Sequence, residues 1–167
     1  MLVLGIDPGT AITGYGVVRE NETGLSLVDC GVITTVADQP LAARLQQIYH
    51  GIRSVIHQYH PDAAAVEELF FSRNVRTALS VGQARGVALL ALAEAGLPIY
   101  EYKPLQVKQT VAGYGGAGKQ QMQEMVRMLL HLEQAPQPDD AADAVAVAVC
   151  HIHSGRMAAL IAQEEQE

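Results

Sequence analysis

Leu2-Val3-Leu4-Gly5-Ile6-Asp7-Pro8-Gly9-Thr10 begins as an apolar run and ends in a carboxylate, a proline and a glycine. The run reads as a strand buried on both faces with an acid at its exit. Pro8 removes a backbone donor and Gly9 can take positive φ, so the chain turns there and leaves Asp7 at the rim of a sheet. An ionised carboxylate in that setting needs cations or hydrogen bonds to offset its lost hydration. Two roles stand open for Asp7 from this stretch alone: an Asx turn over Gly9, or a metal ligand.

The rest of the chain supplies an α/β frame for that strand. Gly14 to Arg19 resumes an extended pattern, Asn21-Glu22-Thr23-Gly24 is a turn cluster, and Leu25 to Val36 is rich in β-branched residues, so the first three strands read as an antiparallel meander. Pro40 to Tyr59 has helical spacing, with Leu41, Leu45, Ile48, Ile52, Val55 and Ile56 on one stripe and His50, His57 and His60 as surface or helix-end residues. Ala63-Ala64-Ala65-Val66-Glu67-Glu68 repeats the apolar run ending in acids. Asn74 to Gly96 reads as a helix apolar on more than one face, either sandwiched centrally or lending a face to a second subunit, with Gly82 and Gly86 allowing close approach. Leu97 to Tyr102 reads as a strand, and Pro104 to Ala112 and Lys119 to His131 as helices. Asp139-Asp140-Ala141-Ala142-Asp143-Ala144 opens the last helix, with His151 and His153 near its end.

At 167 residues and 49% apolar, the chain has material for one core. Residues 1–156 read as one domain, and 157–167 as an acidic, mobile tail. Cys30 and Cys150 have no C-x-x-C spacing, which argues against a disulfide framework or zinc ribbon. No signal-peptide pattern is present, so the expected location is cytoplasmic. A net charge of −7 argues against nucleic acid as a partner until its distribution is considered. From Arg73 to Arg127 there are seven basic residues (Arg73, Arg76, Arg85, Lys103, Lys108, Lys119, Arg127) against three acids, a local balance of +4. Phe70 and Phe71 stand beside this segment, where one is expected to pack in the core and an exposed one could stack on unpaired bases.

Gly113 to Lys119 has the G-x-x-x-x-G-K spacing of a phosphate-binding loop, but Gln120 stands where Ser or Thr belongs and no buried strand precedes it, so it reads as a flexible loop carrying a lysine. Asp140 and Asp143 are three apart and share a helix face. A cap or dipole role explains one acid at a helix start but not three, and Asp143 within an Ala/Val helix needs a compensating cation.

Taken in order, Gly5-Ile6-Asp7-Pro8-Gly9, Thr13-Gly14-Tyr15-Gly16, Val66-Glu67, Gly82-Gln83-Ala84-Arg85-Gly86-Val87, Val107-Lys108-Gln109-Thr110-Val111 and Asp140-Ala141-Ala142-Asp143-Ala144 resemble the RuvC family of Holliday-junction resolvases. The resemblance spans nearly the whole chain. It implies a ribonuclease-H-like fold, with a central mixed five-stranded sheet whose first three strands are antiparallel, flanked by helices, acting as a homodimer. It implies a catalytic, metal-binding set of Asp7, Glu67, Asp140 and Asp143, although Asp139 leaves the helix assignment open by one residue and some members carry His at the Asp140 position. It also implies contacts to DNA by Phe70, Lys108 and Lys119, with Arg73 and Arg76 in the basic segment as further DNA-binding candidates. The implied reaction is resolution of four-way DNA junctions in recombination and repair by paired symmetric nicks, leaving 5′-phosphate and 3′-hydroxyl ends. Oxygen-only ligands suit Mg²⁺ or Mn²⁺, and two ions per site, roughly 3.5–4 Å apart, would activate water and stabilise the leaving oxygen. RuvA and RuvB, the branch-migration proteins, are implied partners. Ala11 departs from the family, which often has Arg there.

Two rivals come from other classes. A non-catalytic junction-binding module would bind without cutting. An actin- or sugar-kinase-like phosphotransferase shares an Asp-x-Gly turn after its first strand, but needs two lobes and a second phosphate loop.

Overall fold

The computed structural model describes residues 1–68 and 75–164; for 75–77 and 156–164 the description is of the backbone. The strands are β1 (Leu2–Asp7), β2 (Ile12–Asn21), β3 (Gly24–Thr34), β4 (Ala63–Glu67) and β5 (Ile99–Tyr102). The helices are α1 (Leu41–Tyr59), α2 (Val75–Glu94), α3 (Pro104–Ala112), α4 (Lys119–Leu129) and α5 (Asp139–Glu164). One sheet of order β3-β2-β1-β4-β5 joins the antiparallel meander to two parallel strands. The meander, the mixed sheet and the flanking helices are as expected. α4 stops short of His131, which takes a left-handed φ of 53°.

Two apolar layers cover the sheet. Leu4, Ile6, Val17, Ala64 and Val66 pack with Ile48 and Ile52 of α1 and with Ala84, Ala88, Ala91 and Leu92 of α2. Val3, Val18 and Ala65 belong to the opposite layer, with residues of α3, α4 and α5. Strand side chains alternate between faces, so Gly5 and Asp7 follow Val3, and Glu67 follows Ala65, onto the α5 side. The parallel pairing Ile6↔Val66 then brings Asp7 and Glu67 alongside one another at the exits of neighbouring strands.

The central buried helix is α5. From Ala141 to Ile152 its residues are buried, apart from the half-buried Asp143. Its small side chains let it rest directly on sheet backbone: a Cβ at Gly5 would run into the Ala144 carbonyl, one at Gly14 into the Asp140 carbonyl, and one at Gly16 into Val145. Within the subunit no close approach is made at Gly86, where a Cβ meets nothing within 4 Å in the described chain. α2 packs on α1 through its inner face and leaves Leu79 and Leu90 more than half exposed on its outer one.

His151 is not a helix-end residue, because α5 continues to Glu164 through the segment read as a tail. The His151 ring is buried, its Nδ1 shares a 2.8 Å hydrogen bond with the Tyr102 hydroxyl, and it packs on Tyr100 with ring centroids 4.3 Å apart. Burial pushes its pKa down.

Candidate active site

Asp7 is freed from turn duty by Thr13. The Thr13 hydroxyl donates to the Gly9 carbonyl at 2.7 Å and accepts from the Gly9 N–H at 3.4 Å, closing the turn after β1. The Asp7 side chain instead shares a hydrogen bond with Glu67, as the strand register dictates. The seating of α5 on Gly14 and Gly5 sets its first turns above that pair, because Gly14 is the β2 partner of Asp7. Asp140 and Asp143 thereby come within electrostatic reach of Asp7.

The cluster strains against its own charge. Burial, followed by the Asp143 carboxylate, raises the Asp7 pKa to about 6. Burial, followed by the Asp7 charge and the shared hydrogen bond, raises Glu67 to about 8, so the Asp7–Glu67 pair retains a proton near neutrality. Burial also raises Asp143.

Two lysines border the acids. Lys119, first residue of α4, places its Nζ 3.0 Å from Asp139 Oδ2 and 3.7 Å from Asp143 Oδ2, and Gln123 Nε2 donates to Asp139 Oδ1 at 2.8 Å. Those two hydrogen bonds hold Asp139 below the usual carboxylate range. Asp139 is thus engaged with α4, whereas Asp140 is among the charges acting on Asp7. Lys108, on α3, acts on Glu67. The loop Gly113 to Gly118 joins two helices, α3 and α4, which is not the strand-to-helix setting of a nucleotide phosphate loop. Phe70 and Arg73 lie outside the described residues, and of Arg76 only the backbone, in α2, is described.

Among the described residues, no three His, Cys, Asp or Glu side chains form a ready-made metal cage. The donor set nonetheless suits a hard divalent cation: carboxylate oxygens only, from two strand ends and one helix face, with pKa values raised first by burial.

Raised carboxylate pKa values fix the sign of a pH effect. The folded chain holds these protons more tightly than the unfolded one, so the stability they contribute is full below about pH 4 and is lost as pH rises through about 6 and about 8. Thermal melts in EDTA should therefore show Glu67→Gln gaining on the parent chain as pH rises from about 4.5 to about 8, with little further gain above that. Millimolar Mg²⁺ or Mn²⁺ should raise the parent's Tm most at the alkaline end. A parent-minus-variant difference that stays flat with pH would contradict this assignment of charge.

A mixed sheet with an antiparallel meander, helices on both faces and carboxylates at adjacent strand exits is a ribonuclease-H-like fold. A family model described as crossover junction endodeoxyribonuclease RuvC matches residues 3–151. The crossover junction endodeoxyribonuclease RuvC of Roseiflexus sp. strain RS-1 is 65% identical over 154 residues, covering 92% of each chain. The solved RuvC of Thermus thermophilus superposes with a TM-score of 0.88 at 42% identity, covering 95% of this chain and 97% of that one. The same enzyme in complex with a Holliday junction substrate gives a TM-score of 0.89 at 42% identity, covering 95% and 96%. The chain belongs to the RuvC family of crossover junction endodeoxyribonucleases.

Proposed function

We propose that this chain resolves four-way DNA junctions by metal-dependent phosphodiester hydrolysis, nicking two strands symmetrically, with Asp7, Glu67, Asp140 and Asp143 as the catalytic, metal-holding residues. The observation that carries the reading is the convergence of Asp7, Glu67, Asp140 and Asp143 where β1 and β4 leave the sheet under the start of α5. Family membership supports it, as does the junction-bound Thermus relative.

The four acids would hold Mg²⁺ or Mn²⁺, two ions per site, which supply Lewis-acid activation of water and charge neutralisation at the leaving 3′ oxygen. Glu67 and Asp7 keep their shared proton until that positive charge makes its loss favourable. Lys119 lies beside Asp143 and Lys108 acts on Glu67, where an ammonium can meet the phosphate of the strand being cut. Phe70, Arg73 and Arg76 belong to the segment between β4 and the body of α2, on the chain's basic stretch, and we assign them to DNA binding as well.

Two symmetric cuts call for two sites, and the exposed Leu79 and Leu90 on the outer face of α2 support pairing of two copies across that helix. Among the described residues no helix is long and apolar enough to cross a membrane. We place the protein in the cytoplasm, acting with RuvA and RuvB.

The test is incubation of the purified chain with a synthetic four-way junction and a matched duplex, in Mg²⁺, Mn²⁺ or EDTA. Paired nicks confined to the junction, ligatable without further processing and absent in EDTA, are expected. Equal cutting of the duplex would overturn junction selectivity. A bound but uncut junction would leave a binding module instead. Binding should weaken steeply with salt, because a net acidic chain must rely on a local basic surface.

A further inference from the structure

Beside the acids lies a cleft of about 500 Å³ whose walls are the turn after β1 (Gly9 to Ile12), Ser80 and Val81 of α2, Arg44 of α1, and Asp140. It meets the acid cluster at Asp140. With a methyl group at Ala11, Arg44 is the one cation among these lining residues.

Arg44 is held there by a relay that starts at the turn itself. Its Nε donates to Thr35 Oγ1 at 2.8 Å, and the Thr35 hydroxyl donates to the Thr10 carbonyl at 2.6 Å. Thr10, buried, is tied in turn to Ser80, its Oγ1 lying 2.6 Å from both the Ser80 carbonyl and the Ser80 hydroxyl. Every partner in this chain is neutral. Arg53, Arg85 and Arg127 each have a carboxylate partner, whereas Arg44 takes part in no ion pair among the described residues, and its two terminal nitrogens make no hydrogen bond there. Its position on the helix sharpens the point. Arg44 lies in the first turn of α1, where the dipole disfavours a cation, and that turn contains no acid to offset it. A guanidinium fixed through Nε, with its terminal N–H groups unengaged over a cleft, offers the planar fork that phosphate oxygens accept.

We propose that Arg44 seats a backbone phosphate of the cleaved strand next to the scissile one, with Thr35 as its positioning residue. This rests on the DNA-cleaving reading above and adds a register function to it: gripping a neighbouring linkage fixes which phosphate lies against the acids.

The test uses the full chain carrying Glu67→Gln, so that binding is read without cutting, and a fluorescent four-way junction in EDTA over a range of salt concentrations. Adding Arg44→Ala should weaken binding about tenfold and reduce the slope of log Kd against log salt by about 0.9. Arg44→Met, which keeps the aliphatic stem, takes its place if the alanine variant melts near the assay temperature. A single neutral methylphosphonate is then moved through the linkages flanking the cut. One linkage should weaken the Arg44 protein and leave the Arg44→Ala protein unaffected. An unchanged affinity and slope on a folded variant, or no linkage whose contribution depends on Arg44, would overturn the seat alone. Failure of the Glu67→Gln chain to prefer the junction over duplex would overturn the DNA-cleaving reading, and the seat with it.

Discussion

Glu67→Gln is expected to reduce junction nicking by roughly 10³-fold or more while leaving junction affinity within a fewfold of the parent's. Glu67 occupies the exit of β4 alongside Asp7, shares a hydrogen bond with it, and bears the higher of the two raised pKa values, about 8. An amide of the same shape keeps the strand and a hydrogen bond to Asp7 but removes the second negative charge that a divalent cation would answer. The charge loss is therefore isolated from the fold. Single-turnover cleavage, with binding measured in parallel by anisotropy, separates the two quantities. The variant should also lose the Mg²⁺-dependent gain in Tm at alkaline pH. Retention of cleavage would remove Glu67 from the catalytic set. Loss of binding and cleavage together would mean that the side chain serves the DNA surface or the fold rather than the reaction.

Gly5→Ala should be severely damaging for a single added methyl group, destabilising the chain by about 3 kcal/mol or more, a large part of the stability of a small domain. Gly5 does not occupy a left-handed conformation, so the penalty is steric and not torsional. Its added Cβ would collide with the Ala144 carbonyl, with the Ala148 amide and Cβ directly behind. Helix backbone cannot rotate aside as a side chain can, so α5 must lift, and Asp140 and Asp143 lift with it. Urea melts report the stability loss and residual nicking per folded molecule reports the displacement. Gly155→Ala, late in α5, is the matched control. Its Cβ meets nothing within 4 Å in the described chain, and it should stabilise the subunit by up to about 1 kcal/mol. Equal melts for the two variants would refute the account of α5 seating.

Much of this was legible in the sequence because it is local. An apolar run ending in Asp-Pro-Gly has few alternatives to a buried strand with an acid at its rim, and Asp140 and Asp143 three apart share a helix face in any helix. The element types followed in the same way. What was not legible depends on which surfaces meet. Within the subunit the close approaches are made at Gly5, Gly14 and Gly16, while Gly86 meets nothing, and nothing local separates a glycine under a helix from a glycine facing space. The apolar breadth of α2 and α5 reads alike, but only the fold shows that α5 is the enclosed helix. Nothing in the sequence around Arg44 singles it out. Its significance comes from Thr35 and Thr10, on other segments, and from the absence of an acid opposite it. His151 resembled a helix-end residue because the pattern gives no stop signal to distinguish a helix of ten residues from one of 26. That Asp139 pairs with the Lys119 ammonium, twenty positions upstream, likewise depends on α4 meeting the start of α5.

At Gly5 and Gly14 the joint between α5 and the sheet is peptide against peptide, with no side chain between them to give way. Such a bearing has almost no play: it is either closed, with the acids at their working separation, or open. Substitutions elsewhere in the two apolar layers should therefore change how many molecules are competent at a given temperature and leave the turnover of each competent molecule alone. A library of conservative core variants would then fall on one line when nicking rate is plotted against fraction folded.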